Sequence, residues 1–138
     1  MRYAETDAMS IVYYANYFVW FEVARADWLR TTGRSYRDME AEGFSLPVLE
    51  AHCTYRHPAR YDDDLEVRAE GELLSPLRVQ FTYEVVRPSD RATLAVGHTV
   101  HASLDGAGRP RRLPEGVREL LGPTSMKKSV RRHERARR

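Results

Sequence analysis

Residues 15–32 read ANYFVWFEVARADWLRTT, and this stretch decides the fold. It contains neither Gly nor Pro and is followed by Gly33, so one uninterrupted helix ending at that glycine is predicted. Its first half is apolar on nearly every side (Tyr17, Phe18, Val19, Trp20, Phe21, Val23, Ala24), whereas Glu22, Arg25, Asp27 and Arg30 gather later. A helix that is apolar all round has to be buried by what surrounds it. The rest of the chain supplies the wrapping. After a short helix around Ser35–Glu42, closed by Gly43, strands are predicted over 45–57, 64–75, 78–88 and 92–104. Pro58 with Tyr61-Asp62-Asp63-Asp64, then Ser75-Pro76, then Pro88-Ser89-Asp90 punctuate them. Val79, Phe81, Tyr83 and Val85 fall at period two, as do Leu94, Val96 and His98 along the last strand. Short links between consecutive strands favour antiparallel pairing. A short helix near Pro114–Leu121 closes this part, and residues 2–5 read as a further short strand that leads into a loop over Thr6–Ser10. The economical way to bury both components is an α+β architecture, an antiparallel sheet rolled around one central helix.

The 138 residues suit one domain, and 42% hydrophobic with 30% charged residues is the balance of an ordinary soluble globular protein. The net charge of +2 hides an asymmetry. Residues 123–138 hold Lys127, Lys128, Arg131, Arg132, Arg135, Arg137 and Arg138 against one acid, Glu134; the remainder keeps 15 basic and 19 acidic residues. The body is therefore acidic and gives no general reason to expect nucleic-acid binding. The chain divides into a domain over 1–122 and a basic tail over 123–138, whose lack of large apolar residues predicts disorder. Such a tail could also act as an arm for RNA or an anionic membrane. Cys53 is the one cysteine, which excludes an intrachain disulfide and suits a reducing cytoplasm; in the apolar run Leu46–Tyr55 it reads as a packed, inert thiol. MRYAETDAMS lacks the apolar core of a secretion signal, and no run reaches the ~18 apolar residues of a membrane span, so a cytoplasmic location is expected.

The chemistry lies in Arg2–Arg25, RYAETDAMSIVYYANYFVWFEVAR, where one carboxylate, Asp7, precedes the start of a buried helix. The first turn of a helix presents amide groups with no partner inside the helix, and its dipole adds positive potential there. A carbonyl oxygen docked at that point is polarised, and the oxyanion formed on attack is stabilised. A nearby carboxylate can act as general base on water or attack the carbonyl itself. The ordinary alternative is a helix cap or turn residue, but Asp7 stands several residues too early for an N-cap.

TDAMSIVYYANYFVWFEVAR resembles the opening motif of the hotdog thioesterases of the 4-hydroxybenzoyl-CoA thioesterase type. The resemblance continues through SYRDMEAEGFSLPVLEAHCTYRHPARYDDDLEV and resumes at GHTVHASLDGAGRPRRLPEGV, so it spans about residues 2–121. It implies a hotdog fold and hydrolysis of acyl-coenzyme A without metal or redox cofactor. It also implies a dimer with a continuous sheet, often paired into a tetramer, with active sites at the subunit interface. Carried over by position, Asp7 falls on the family's catalytic Asp, and Tyr14 on the residue whose backbone N–H faces the thioester carbonyl. Ser10 stands where the family usually has Gly. Many relatives use a His at the Tyr14 position; a phenol, with a pKa near ~10, is no near-neutral base. Arg109, Arg111 and Arg112 fall where relatives hold the phosphates of coenzyme A, a task that suits the paired donors of guanidinium. Two other classes remain open: an acyl-CoA-binding hotdog protein without turnover, and an RNA- or membrane-associated protein acting through its tail.

The remaining polar residues read as structural. Glu22 matches the helix carboxylate of a second hotdog branch, yet its spacing from Arg25 suits an ion pair along one helix face. His98 and His101 are three apart in a strand and face opposite ways, so they form no two-His metal site; His52 and Cys53 likewise face apart. Asp62, Asp63 and Asp64 lack the spacing of a calcium loop. Phe18, Phe21, Tyr55 and Tyr61 are candidates to line an acyl pocket.

Overall fold

The computed structural model describes residues 15–31, 33, 35–60, 62–121 and 128–135, with backbone alone for residue 120 and for 128–135. The strand expected at 2–5, the loop carrying Asp7, Tyr14 and Tyr61 lie outside the described residues.

The central helix α1 runs Asn16–Arg30, and α2 runs Tyr36–Ala41. Both stop where left-handed glycines relieve the last turn: Gly33 and Gly43 have φ near 85°, and their amides donate to the Arg30 and Glu40 carbonyls. α2 opens with a reciprocal cap. Ser35 Oγ accepts from the Asp38 amide, and the Asp38 carboxylate accepts from the Ser35 amide, both at 3.1 Å. The strands follow as β1 (Val48–Tyr55), β2 (Asp64–Ser75), β3 (Arg78–Arg87) and β4 (Ala92–Ala102), then helix α3 (Glu115–Leu120) and a last strand β5 (Lys128–Arg135).

These strands make one antiparallel sheet in the order β1-β4-β3-β2-β5. The consecutive pairs β2–β3 and β3–β4 follow the expectation for short links, but β1 crosses to β4 instead of pairing with β2. The longer connection after Tyr55 permits this, and the Arg56 and His57 amides, donating to the Leu94 carbonyl, hold its start against β4. The tail differs from its expected disorder. Residues 128–135 pair with β2 and cover its free edge, because a β2 backbone without a neighbour on that side offers a row of donors and acceptors. Their poverty in apolar residues does not prevent this, since the ladder uses main-chain groups.

The core lies between α1 and one sheet face. Trp28, Phe21, Ala24 and Leu29 of α1 are fully buried or nearly so, as are Leu65, Val67, Val79, Phe81 and Val85 of the sheet. Each such side chain contributes about 1.5–3 kcal/mol by leaving water. Two sheet glycines permit the close approach of the helix. A Cβ on Gly97 would stand 2.7 Å from the Phe21 ring, and one on Gly71 would stand 3.1 Å from Trp28. On β4 the core face carries Ala95, Thr99 and His101, all buried, while Val96 and His98 lie on the other side and are only half-buried. A register irregularity between Val85 and Val86 puts Leu94 in the core beside Ala95, which breaks the simple alternation Leu94, Val96, His98. This is the sheet-around-a-helix arrangement of the hotdog fold. No helix among the described residues is long and apolar enough to cross a membrane.

Candidate active site

Two described regions bear on the residues singled out by sequence: the start of α1, which follows Asp7 and Tyr14 in the chain, and the loop that carries Arg109, Arg111 and Arg112. At one end α1 begins. Ala15 occupies the N-cap position and makes no side-chain cap, and the first turn has no acidic residue. Among the described residues the first turn thus brings no carboxylate of its own to this positive helix end. Tyr17, buried, anchors it: its hydroxyl accepts from the Ala59 amide at 3.2 Å, and its ring meets Tyr55 edge-on at 4.9 Å and Trp20 at 4.8 Å. Phe18 is partly buried and packs edge-on against Phe21, while Tyr55 remains 41% exposed. Phe21 is fully buried and stacked on Tyr83 at 4.3 Å with ring planes 5° apart, so it belongs to the core and not to an open acyl pocket. Cys53 is partly buried against the same core, and burial raises its thiol pKa, as expected of an inert thiol.

At the other end sits the arginine loop. Asp105 organises it: its carboxylate accepts from the Ala107 and Arg109 amides at 2.8 and 2.9 Å, and Gly108 turns the chain with φ near 81°. The Arg111 amide then donates to the Ser103 carbonyl, just beyond the end of β4. The Arg111 guanidinium lies over the Phe44 ring at 4.1 Å and reaches the Glu42 carbonyl at 3.5 Å, and Arg109, Arg111 and Arg112 are all exposed. The register sets Val48 of β1 opposite His101 and Tyr55 opposite Ala95. Seven strand residues span ~23 Å. Within one protomer the arginine loop and the start of α1 are therefore about that far apart, and the structure does not bring them together.

A third group was not read from the sequence. Arg25, buried on α1, donates from Nε to the Tyr36 hydroxyl and from Nη1 to the Tyr83 hydroxyl, both at 2.9 Å. It does not pair with the exposed Glu22, so the ion pair expected from their spacing is not made. Tyr83 donates in turn to Thr99 Oγ1 at 2.7 Å, Thr99 donates to His101 Nε2 at 2.8 Å, and His101 Nδ1–H donates to the Leu46 carbonyl at 2.9 Å. The direction follows from the two ends: guanidinium only donates and a carbonyl only accepts. His101 is held neutral, its pKa lowered to about 4 by burial and further by the nearby Arg25 charge, against the opposing hydrogen bond to Leu46. Burial raises the Tyr36 and Tyr83 phenols, so both stay neutral as well. Period-two placement of Tyr83 among apolar neighbours was the available signal; its partners come from distant elements.

On the opposite sheet face, Arg68 lies between Glu66 and Glu84 beside a shallow groove that also includes Arg91. Among the described residues no group of three or more His, Cys, Asp or Glu side chains is placed to hold a metal ion.

Comparison with known proteins follows the same outline. A family model described as the thioesterase-like superfamily matches residues 1–121, which leaves β5 outside. A crystal structure of a hypothetical protein from Thermus thermophilus superposes with a TM-score of 0.77 at 40% identity, covering 88% of this chain and 92% of that one. The structure of a DHNA-CoA thioesterase from Staphylococcus aureus gives 0.73 at 35% identity, covering 82% and 76%. The acyl-CoA thioester hydrolase YbgC of Escherichia coli is 30% identical over 116 residues, 83% of this chain and 86% of its own.

Proposed function

The chain belongs to the thioesterase-like superfamily, and we propose that it hydrolyses the thioester of an acyl-coenzyme A to the free acid and coenzyme A. The observation that carries this reading is the start of α1: a buried helix whose N-cap residue, Ala15, makes no side-chain cap, set beside a partly open aromatic corner of Tyr17, Phe18 and Tyr55. A helix end of this kind favours a developing oxyanion. Sequence position supplies the rest. Tyr14, two residues before the first helical residue, offers its backbone N–H to the thioester carbonyl, and Asp7 activates water or forms a transient anhydride. Names of relatives such as the acyl-CoA thioester hydrolase of Escherichia coli support the substrate class.

The separation of the two ends bears on how coenzyme A is held. Among the described residues the outer edge of β1 has no strand beside it, and Val48, Leu49 and Tyr55 are 50%, 47% and 41% exposed. An unpaired edge with exposed apolar side chains calls for a cover. In our reading a second copy pairs antiparallel there and continues the sheet. That pairing carries one copy's Arg109, Arg111 and Arg112 toward the other copy's α1 start, so phosphates and thioester of one ligand are held across the interface.

The test is a panel of acyl-CoAs, from acetyl through palmitoyl to benzoyl and phenylacetyl, assayed by released thiol with the wild type and Asp7→Asn. The variant is expected to lose about 10²–10⁴-fold in kcat while still binding substrate, the usual cost of removing a general base. Retention of more than about a third of wild-type kcat would end the assignment of Asp7.

A further inference from the structure

The second edge of the sheet is closed in an unusual way. Of the eight residues in β5 only Val130 is apolar; Lys128, Arg131, Arg132 and Arg135 stand against one carboxylate, Glu134. The strand that receives it is the reverse: over 64–72, β2 carries Asp64, Glu66, Glu70 and Glu72 against Arg68. The two strands are opposite in net charge, and the register sets one acid directly against one base, Asp64 opposite Arg135. Glu66 stands opposite His133, Glu70 opposite Ser129, and Arg132 and Lys128 opposite Val67 and Gly71. The one like pair is Arg68 opposite Arg131, and Arg68 is already bonded to Glu66 at 2.8 Å and Glu84 at 2.9 Å. β5 also touches α1, so it covers the sheet edge and a flank of the central helix together. What the structure describes of its hold on the sheet is a main-chain ladder, and the sequence of the strand is strongly basic.

We propose that residues 128–135 form a detachable, salt-sensitive strap, seated on the acidic edge of β2, whose release uncovers that edge and the adjoining flank of α1. Attraction between charges at a solvent-facing edge is screened once ionic strength brings the Debye length near the spacing of the pairs. Backbone pairing alone, with one apolar residue in eight, leaves such a strand at the low-stability end of the molecule. The strap is thus a two-state element: its closed form protects an edge that would otherwise accept another strand, and its open form presents a basic arm.

Amide hydrogen exchange on the full chain, followed by mass spectrometry at ~0.02 and ~0.5 M NaCl, tests this directly. Protection of segment 128–135 and of β2 is expected to fall about tenfold at the higher salt, while β3 and β4 keep theirs. At low salt Asp64→Arg and Arg135→Asp should each loosen the strap several-fold, and the double exchange should restore it. Protection of 128–135 that ignores salt overturns the proposal, as does equal salt sensitivity throughout the sheet. A double exchange no tighter than the single variants would overturn the charge pairing. The salt series needs no variant, so a substitution that fails to fold leaves the test intact.

Discussion

Arg25 and Arg68 serve opposite faces of the same sheet with almost the same geometry. Each donates from Nε and Nη1 to two oxygens at 2.8–2.9 Å. The partners of Arg25 are the buried phenol of Tyr83 and the partly buried phenol of Tyr36, and those of Arg68 are two carboxylates, on a face where its own side chain is 38% exposed. On paper the ion pairs look stronger. Physically the reverse is expected, because water reaches Arg68 and Glu84 and competes for their bond, although Glu66 is itself buried, whereas the bond from Arg25 to Tyr83 lies wholly inside the core. The difference teaches that the same bond lengths carry very different free energies in the two settings.

Arg25→Ala is the sharpest way to break this comparison. It should lower stability by about 3–4 kcal/mol in urea unfolding, since the buried Tyr83 hydroxyl and the partly buried Tyr36 hydroxyl lose a charged donor and the core loses the arginine stem. A loss no greater than that of Arg68→Ala would invert the ranking.

The inner chain also has a pH signature, carried by His101. His101 titrates near an ordinary 6.5 when unfolded and at about 4 when folded. Between these values the unfolded chain binds the extra proton, so this contribution is fully present above pH 6.5 and is lost as pH falls toward 4. The shift corresponds to roughly 3 kcal/mol. Stability measured across that window should decline more steeply in the wild type than in His101→Gln, and equal slopes would mean that the histidine is not held neutral by the fold.

Tyr83→Phe removes the hydroxyl that accepts from Arg25 and donates to Thr99. A cost of about 2 kcal/mol is expected, with the Phe21 stacking retained. In a double-mutant cycle with Arg25→Ala the two effects should be strongly non-additive; simple additivity would show that the hydrogen bonds do not act as one chain.

The smallest effect belongs to Arg68→Ala, expected to cost under about 1 kcal/mol and to shrink further at high salt. A larger, salt-independent loss would place Arg68 with Arg25 and remove the distinction between the faces.

Parts of this could be read in advance because they depend on near neighbours along the chain. The end of α1 at Gly33, the short helix begun near Ser35 and its end at Gly43 rest on residues within a few positions of one another. The period-two run Val79, Phe81, Tyr83, Val85 located one buried face correctly. The run Leu94, Val96, His98 did not, since the irregularity opposite Val85 and Val86 is set by pairing with another strand. The spacing of Glu22 and Arg25 pointed to a helix-face ion pair, but Tyr36 and Tyr83 arrive from other elements and claim the guanidinium. The arginines at 109, 111 and 112 are close in sequence, yet within the described protomer Arg111 lies over the Phe44 ring beside the Glu42 carbonyl, a placement set by residues far earlier in the chain.

By itself, then, the sequence determined that one apolar helix has to be wrapped by antiparallel strands, where each helix stops, and which motif links the chain to thioesterases. The first two follow from local dihedral preferences, capping and hydrophobic period, all short-range properties, and the last is a resemblance carried by the residue types of the opening motif. Tertiary structure alone decided that β1 crosses to β4, that the basic tail closes β2, and that Arg25, Tyr83, Thr99 and His101 form one directed chain. Each of these is a choice of partner between residues far apart in the chain. Competing edges, buried donors and acceptors are satisfied together only once the whole sheet has formed around the helix.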